Sequence, residues 1–333
     1  MEHITLHTPL DMHLHLREGE MLNNVAPLTA AIFSGAVIMP NLIEPVNTLH
    51  RLQNYRQAVE TACQGYTFTP YMTLFFRQYS REELEAVKPY IVGIKLYPAG
   101  ITTQSESGVS DLDACLDTLA EMEALDIPLL VHGESNGFVM DRETEFLAVY
   151  EKIASRFPNL RVVMEHITTA AALQLMDAYP NIGATVTLHH LLLTLDDVVG
   201  GLMKPHLFCK PIAKRPEDRQ ALCDAVFCGH PRLFFGSDSA PHPRHTKECC
   251  GCAAGIFSAP VSLPKLTELF MEHSNVTLLQ DFVSNNARAF YRITPVQKNI
   301  HLRKKQWKVP SRFGDVVPFL AEETLSWSIF STI

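Results

Sequence analysis

Short apolar runs closed by turn signals alternate with stretches of helical periodicity along most of the chain, the pattern of an α/β fold. Eight runs read as strands: residues 10–16, 36–40, 67–74, 93–97, 128–132, 161–166, 183–188 and 233–237. Successive runs lie about 32 residues apart, the size of one strand–helix unit, and eight units predict a closed (β/α)8 TIM-type barrel. The intervening segments support helices. Leu112, Leu116, Leu119 and Leu125 recur at helical spacing behind Ser110, a candidate cap, and stop before Pro128. A second helix is predicted to start at Thr168 or Thr169 and to stop at Pro180. An open doubly wound sheet is the competing architecture, but no Gly-rich phosphate loop follows any of the runs. The alternation fades after Ile293, so residues 1–333 read as a single barrel domain. Residues 294–333 form its short C-terminal extension, packed outside the barrel with the Lys/Arg run as a solvated face. Residues 100–110, rich in Gly, Ser and Thr, read as a mobile loop.

Charge and composition narrow the function. With 28 Lys+Arg against 36 Asp+Glu the formal net charge is −8, and no basic stripe is present, which argues against nucleic acid as a partner. No window approaches the roughly 18 apolar residues of a membrane span, and the N-terminal residues do not resemble a signal peptide; both predict a soluble, cytoplasmic protein without a membrane partner. The eight cysteines then read as reduced thiols. Cys249, Cys250 and Cys252 fit a tight Gly-rich loop better than a structural zinc site, because no second cysteine pair exists to complete one.

Barrel side chains at the C-terminal strand ends converge on one mouth, so the polar residues ending the strands are the candidates for chemistry. The first strand ends in His13-Leu14-His15, the fourth in Lys95, the fifth in His132, the sixth in His166 and the eighth in Asp238. His13 and His15, two apart on a strand, share a face and can grip one cation. His132 and His166 stand one strand–helix unit apart, on neighbouring strands. Asp238 closes the ring beside the first strand. Lys95 is the odd member, since a buried ammonium facing cations is repelled. It is either an ion-paired structural lysine or a carbamate formed with CO2, able to bridge two metals. Four neutral histidines and one aspartate offset little of the charge of two zinc ions, which favours a further anion. Glu165, next to His166, is expected to point away from the mouth. The other histidines read as surface or hydrogen-bonded core residues, with His189 and His190 closest to the site.

The motifs HLHLR, MPN, GIKLYP, LLVHGE, MEHITT and GSDSAPH resemble the amidohydrolase superfamily, and within it the shorter, stand-alone bacterial type of the dihydroorotase family. The resemblance runs from about Asp11 to Ile293. It implies two zinc ions per subunit: His13, His15 and Asp238 on one, His132 and His166 on the other, bridged by carboxylated Lys95 and a hydroxide. It also implies Asp238 as the catalytic base and dihydroorotate, interconverting with N-carbamoyl-aspartate in pyrimidine biosynthesis, as the small-molecule substrate. Arg17, on the same face as His15, would pair with the substrate carboxylate, completed by Asn41 and His242. Backbone groups at Lys210 and Ala254 would contact the ring and carboxylate, and Thr102 and Thr103 would belong to a lid loop. The family further suggests a homodimer.

Two other readings stand beside this one. A hydantoinase- or allantoinase-like enzyme keeps the metal site but has no general need of a carboxylate pocket. A non-catalytic barrel scaffold gives no reason for so many strands to end in a ligand.

Overall fold

A computed structural model of the chain describes residues 2–101, 108–109 and 113–332. Eight strands, β2 (Leu10–Leu14), β3 (Gly35–Ile38), β4 (Thr69–Phe75), β5 (Gly93–Leu96), β6 (Leu129–Val131), β7 (Val162–Met164), β8 (Ile182–Val186) and β9 (Leu233–Phe235), form one parallel sheet in sequential order. The first and last of them meet just beyond their ends. Leu14 bridges to Ser239, the His15 N–H donates to the Ser239 carbonyl at 3.1 Å, and the Asp238 N–H donates to the His13 carbonyl at 2.9 Å. The predicted TIM-type barrel is therefore present, closed by the same backbone that carries three of the candidate ligands.

Alternation along these strands separates two cores. Ile94, Leu96, Leu129, Val131, Val162 and Met164 face the surrounding helices, whereas Val37, Leu130, Val163 and Phe234 fill the barrel interior with Leu10 and Met12. Helix ends follow local chemistry. The Thr169 side chain accepts from the Ala172 N–H and starts the helix Ala170–Ala178, within the predicted limits. The helix predicted behind Ser110 is observed over Leu116–Ala124; Ser110 and Leu112 lie outside the described residues.

Strand β1 (His3–His7) precedes the barrel and pairs antiparallel with β10 (Asn299–Lys308), which pairs in turn with β11 (Thr324–Thr332). The C-terminal segment thus shares a three-stranded sheet with the N-terminal one. Trp327 of β11 is buried, and the Lys304–Lys305 side of the basic run is exposed at a register shift in β10.

Candidate active site

The strand ends deliver their polar residues to one place, but not by simple alternation. Leu10 and Met12 already point into the barrel, so an unbroken β2 would turn His13 outward. One extra residue in β2 relative to β3, between Asp11 and Leu14, makes a β-bulge that resets the phase and brings His13 and His15 inward. Asp11 pins this bulge: its carboxylate accepts from the Ser237 N–H at 2.7 Å, the Ser237 hydroxyl at 2.5 Å and the His13 N–H at 3.2 Å. Burial pushes the Asp11 carboxyl up to about 7. Gly236 lies opposite, where a Cβ would come within 2.9 Å of the Cβ atoms of His13 and Thr185, so only glycine lets the strands approach this closely.

Two groups of ligand atoms result. His13 Nε2, His15 Nε2 and Asp238 Oδ1 lie within 3.1–3.4 Å of one another. His132 Nδ1 and His166 Nε2 are 3.1 Å apart, and the His13 and His166 rings stand 4.9 Å apart between centroids, joining the groups. Burial lowers the pKa of His13, and those of His15 and His166 more strongly, which keeps these imidazoles neutral with lone pairs to offer. Imidazole nitrogens turned toward one another at this distance are repulsive unless a proton or a cation lies between them. Lys95, on β5 in register with inward-facing Leu130, is fully buried, and among the described residues its Nζ has no hydrogen-bond partner. The donor set and this orphaned amine fit a metal centre with an additional anionic ligand.

Glu165 departs from the expectation. Counted from inward-facing Val163 it also points into the barrel, and its Oε2 accepts from His13 Nδ1 at 2.7 Å and from the Thr185 hydroxyl at 2.6 Å. His166 can face the same way because it breaks alternation with a left-handed φ of 40°. Arg17 and Asp238 are likewise left-handed, at φ 61° and 43°. Glu134 has the corresponding place beside His132, taking its Nε2 at 2.8 Å and leaving Nδ1 free to ligate. Neither carboxylate was expected at the site. The alternation of β7 could have revealed Glu165; the turn after β6 carries no such signal for Glu134.

Beside the ligands, one cavity is lined by His15, Arg17, Asn41, Lys210, Asp238, Ala240, Ala254 and Gly255. Arg17 Nε donates to the Pro241 carbonyl at 3.3 Å and its Nη2 lies 3.1 Å from His242 Nε2, which in turn is 2.9 Å from the Ala254 carbonyl. Burial, with Arg17 nearby, takes His242 down to about 3, so it is a neutral hydrogen-bonding group. Tyr97, also not anticipated, donates to Asn41 Oδ1 at 2.9 Å and orients that amide. The sequence-predicted substrate residues are thus brought together, His242 through its Nε2, which lies near both Arg17 Nη2 and the Ala254 carbonyl. Lys210 lines this cavity, and its Nζ donates to the Ile101 carbonyl at 2.7 Å. Thr102 and Thr103 lie outside the described residues.

His189, His190 and Cys209 form a second buried trio with clustered donor atoms. His190 is already engaged by Thr187 at 3.0 Å and by the Pro211 carbonyl at 3.1 Å, and burial raises the Cys209 thiol to about 12, so this trio is a poor metal site. Cys249 and Cys250 are exposed, and Cys252 is half-buried with its thiol toward the Pro205 carbonyl.

The family model for amidohydrolases matches residues 67–293. Among curated proteins, the dihydroorotase of Helicobacter hepaticus is 44% identical over 98% of this chain and 97% of its own length. Among solved structures, the dihydroorotase of Campylobacter jejuni superposes with a TM-score of 0.95 at 52% identity, covering 99% of this chain and 98% of that one. The dihydroorotase of Saccharomyces cerevisiae in complex with 5-fluoroorotic acid gives 0.93 at 34% identity, covering 99% of each. The chain belongs to the amidohydrolase superfamily and, within it, to the dihydroorotases.

Proposed function

We propose that this chain is a metal-dependent dihydroorotase that hydrolyses the cyclic amide of (S)-dihydroorotate to N-carbamoyl-L-aspartate and runs the reverse cyclisation. The observation that carries the reading is the meeting, at one barrel mouth, of the buried His13, His15 and Asp238 donor trio, with His132 and His166 beside it, and a guanidinium-lined cavity. We assign His13, His15 and Asp238 to one zinc ion, His132 and His166 to a second, and carboxylated Lys95 to both. When bound, the ions polarise the amide carbonyl and ionise water at neutral pH. The protein residues do the rest. Arg17, Asn41 and His242 hold the substrate carboxylate and orient the ring, with backbone groups at Lys210 and Ala254 along its edge; the 5-fluoroorotic acid complex of the yeast relative supports such a ligand here. Asp238 takes the proton released as water adds to the carbonyl and delivers it to the ring nitrogen as the C–N bond breaks. On family grounds we also propose a cytoplasmic homodimer.

Zinc-loaded protein is expected to turn over dihydroorotate in preference to hydantoin or allantoin. Arg17→Met is expected to raise KM for dihydroorotate by roughly 10- to 100-fold, the loss of a charge-assisted pair, while metal content stays unchanged. Turnover of hydantoin alone, or unchanged kinetics in the variant, would refute the carboxylate pocket.

Glu165 and Glu134 are assigned as the carboxylates that fix the ligating tautomers of His13 and His132. Glu165→Gln removes the charge and keeps the shape, so metal affinity should fall by about 10-fold or more. Titration of chelator-stripped protein with zinc reads this directly, and native affinity would reject the role.

A further inference from the structure

We propose that Lys247 is a positioning residue for the substrate pocket, its buried ammonium tying the segment before Lys210 to the loop that carries Ala254. The inference rests on the dihydroorotase reading and deepens it. Lys247 closes the short helix Arg244–Lys247 and is 3% exposed. Its Nζ donates to the carbonyls of Phe208 at 2.9 Å, Ala253 at 2.8 Å and Gly255 at 2.8 Å. An ammonium has three donors, and all three are used. Among the described residues no carboxylate pairs with it. Burying an unpaired ammonium is costly unless every donor is satisfied, so the three carbonyls and the charge hold one another in place. Burial lowers Lys247 to about 8, and its charged form is the one with three donors for the three carbonyls.

The acceptors lie at or beside residues that line the cavity. Phe208 is two residues before Lys210, and Ala253 and Gly255 flank Ala254. The Gly255 N–H also donates to the Phe208 carbonyl at 2.9 Å, so the two segments are stitched twice. From Ala254 the chain of contacts continues through its carbonyl to His242 and from His242 to Arg17. The ammonium also lies near enough to depress the pKa of His242, placing a fixed positive charge behind the pocket for an anionic substrate. None of its three acceptors belongs to a candidate metal ligand. Its removal should therefore disturb substrate binding and leave the metal centre intact.

The test is steady-state kinetics and metal analysis of Lys247→Met beside native enzyme. The methionine keeps the apolar stem and removes the charge and the donors. The expected result is a KM for dihydroorotate raised at least 10-fold, with kcat within about threefold and metal content unchanged. Lys247→Arg retains the charge but places a bulkier, planar guanidinium in a site that is 3% exposed, and should give an intermediate KM. It also stands in if the methionine variant does not fold. A KM within twofold of native in either folded variant overturns the inference, as does a fall in kcat and metal content at constant KM. Failure of the native enzyme to turn over dihydroorotate overturns the substrate reading instead, so the two failures are distinct.

Discussion

Lys95→Ala is expected to lower kcat by a factor on the order of 10^4 and to lower metal content, because on the proposed reading it removes a charged bridging ligand and not merely a buried side chain. The Nζ of Lys95 is fully buried, has no hydrogen-bond partner among the described residues and stands 5.1 Å from the centre of the Tyr97 ring. An ammonium left in that condition is destabilising, whereas a neutral amine can react. Burial lowers its pKa to about 8, against the attraction of Glu165 and Asp238, so the neutral form is accessible near physiological pH. On the proposed reading the amine would add to CO2 and release one proton, giving an N-carboxylate with two oxygens in place of an ammonium. The surroundings call for that anion, since His13, His15 and His166 are held neutral. Labelling with 13C-bicarbonate should give a carbamate signal in native protein that is absent from the variant. Retention of native metal stoichiometry and turnover by Lys95→Ala would remove the carbamate from the mechanism.

The barrel was legible because each strand is a dense apolar run, and five of the eight runs end in residues able to ligate a metal. His13, Lys95 and His132 follow from strand phase and neighbour register once the bulge is known. The bulge itself is a backbone event with no local residue signature, since Asp11 and Ser237, which stabilise it, are distant in sequence and adjacent only after the barrel closes. Glu165 was misplaced for a related reason. Strand alternation was counted from His166, which has a left-handed backbone, when the valid reference was Val163. The pairing of β1 with β10 joins residues at opposite ends of the chain, and periodicity within either segment cannot show its partner. Lys247 was invisible for a chemical reason: its partners are backbone carbonyls, which every residue has.

Asp238→Asn should lower kcat by roughly 10^3- to 10^4-fold while KM for dihydroorotate changes by only a few-fold, because the substitution keeps an oxygen for the metal and removes the ability to take up and return a proton. Among the candidate ligands, Asp238 and His15 alone also line the substrate cavity, and His15 is held well below its ordinary pKa by burial. That leaves the carboxylate as the group able to accept a proton from water and pass it to a ring nitrogen. Its left-handed backbone turns the side chain from the end of β9 toward His13 and His15, where Oδ1 stands 3.4 and 3.1 Å from their Nε2 atoms. A carboxylate has a second oxygen, so ligation through one leaves the other for proton transfer; an amide offers only an NH2 there. Hydrolysis and cyclisation share this transfer, and both should slow together. An asparagine variant that retains metal and turns over within 10-fold of native would show that the proton travels by another group.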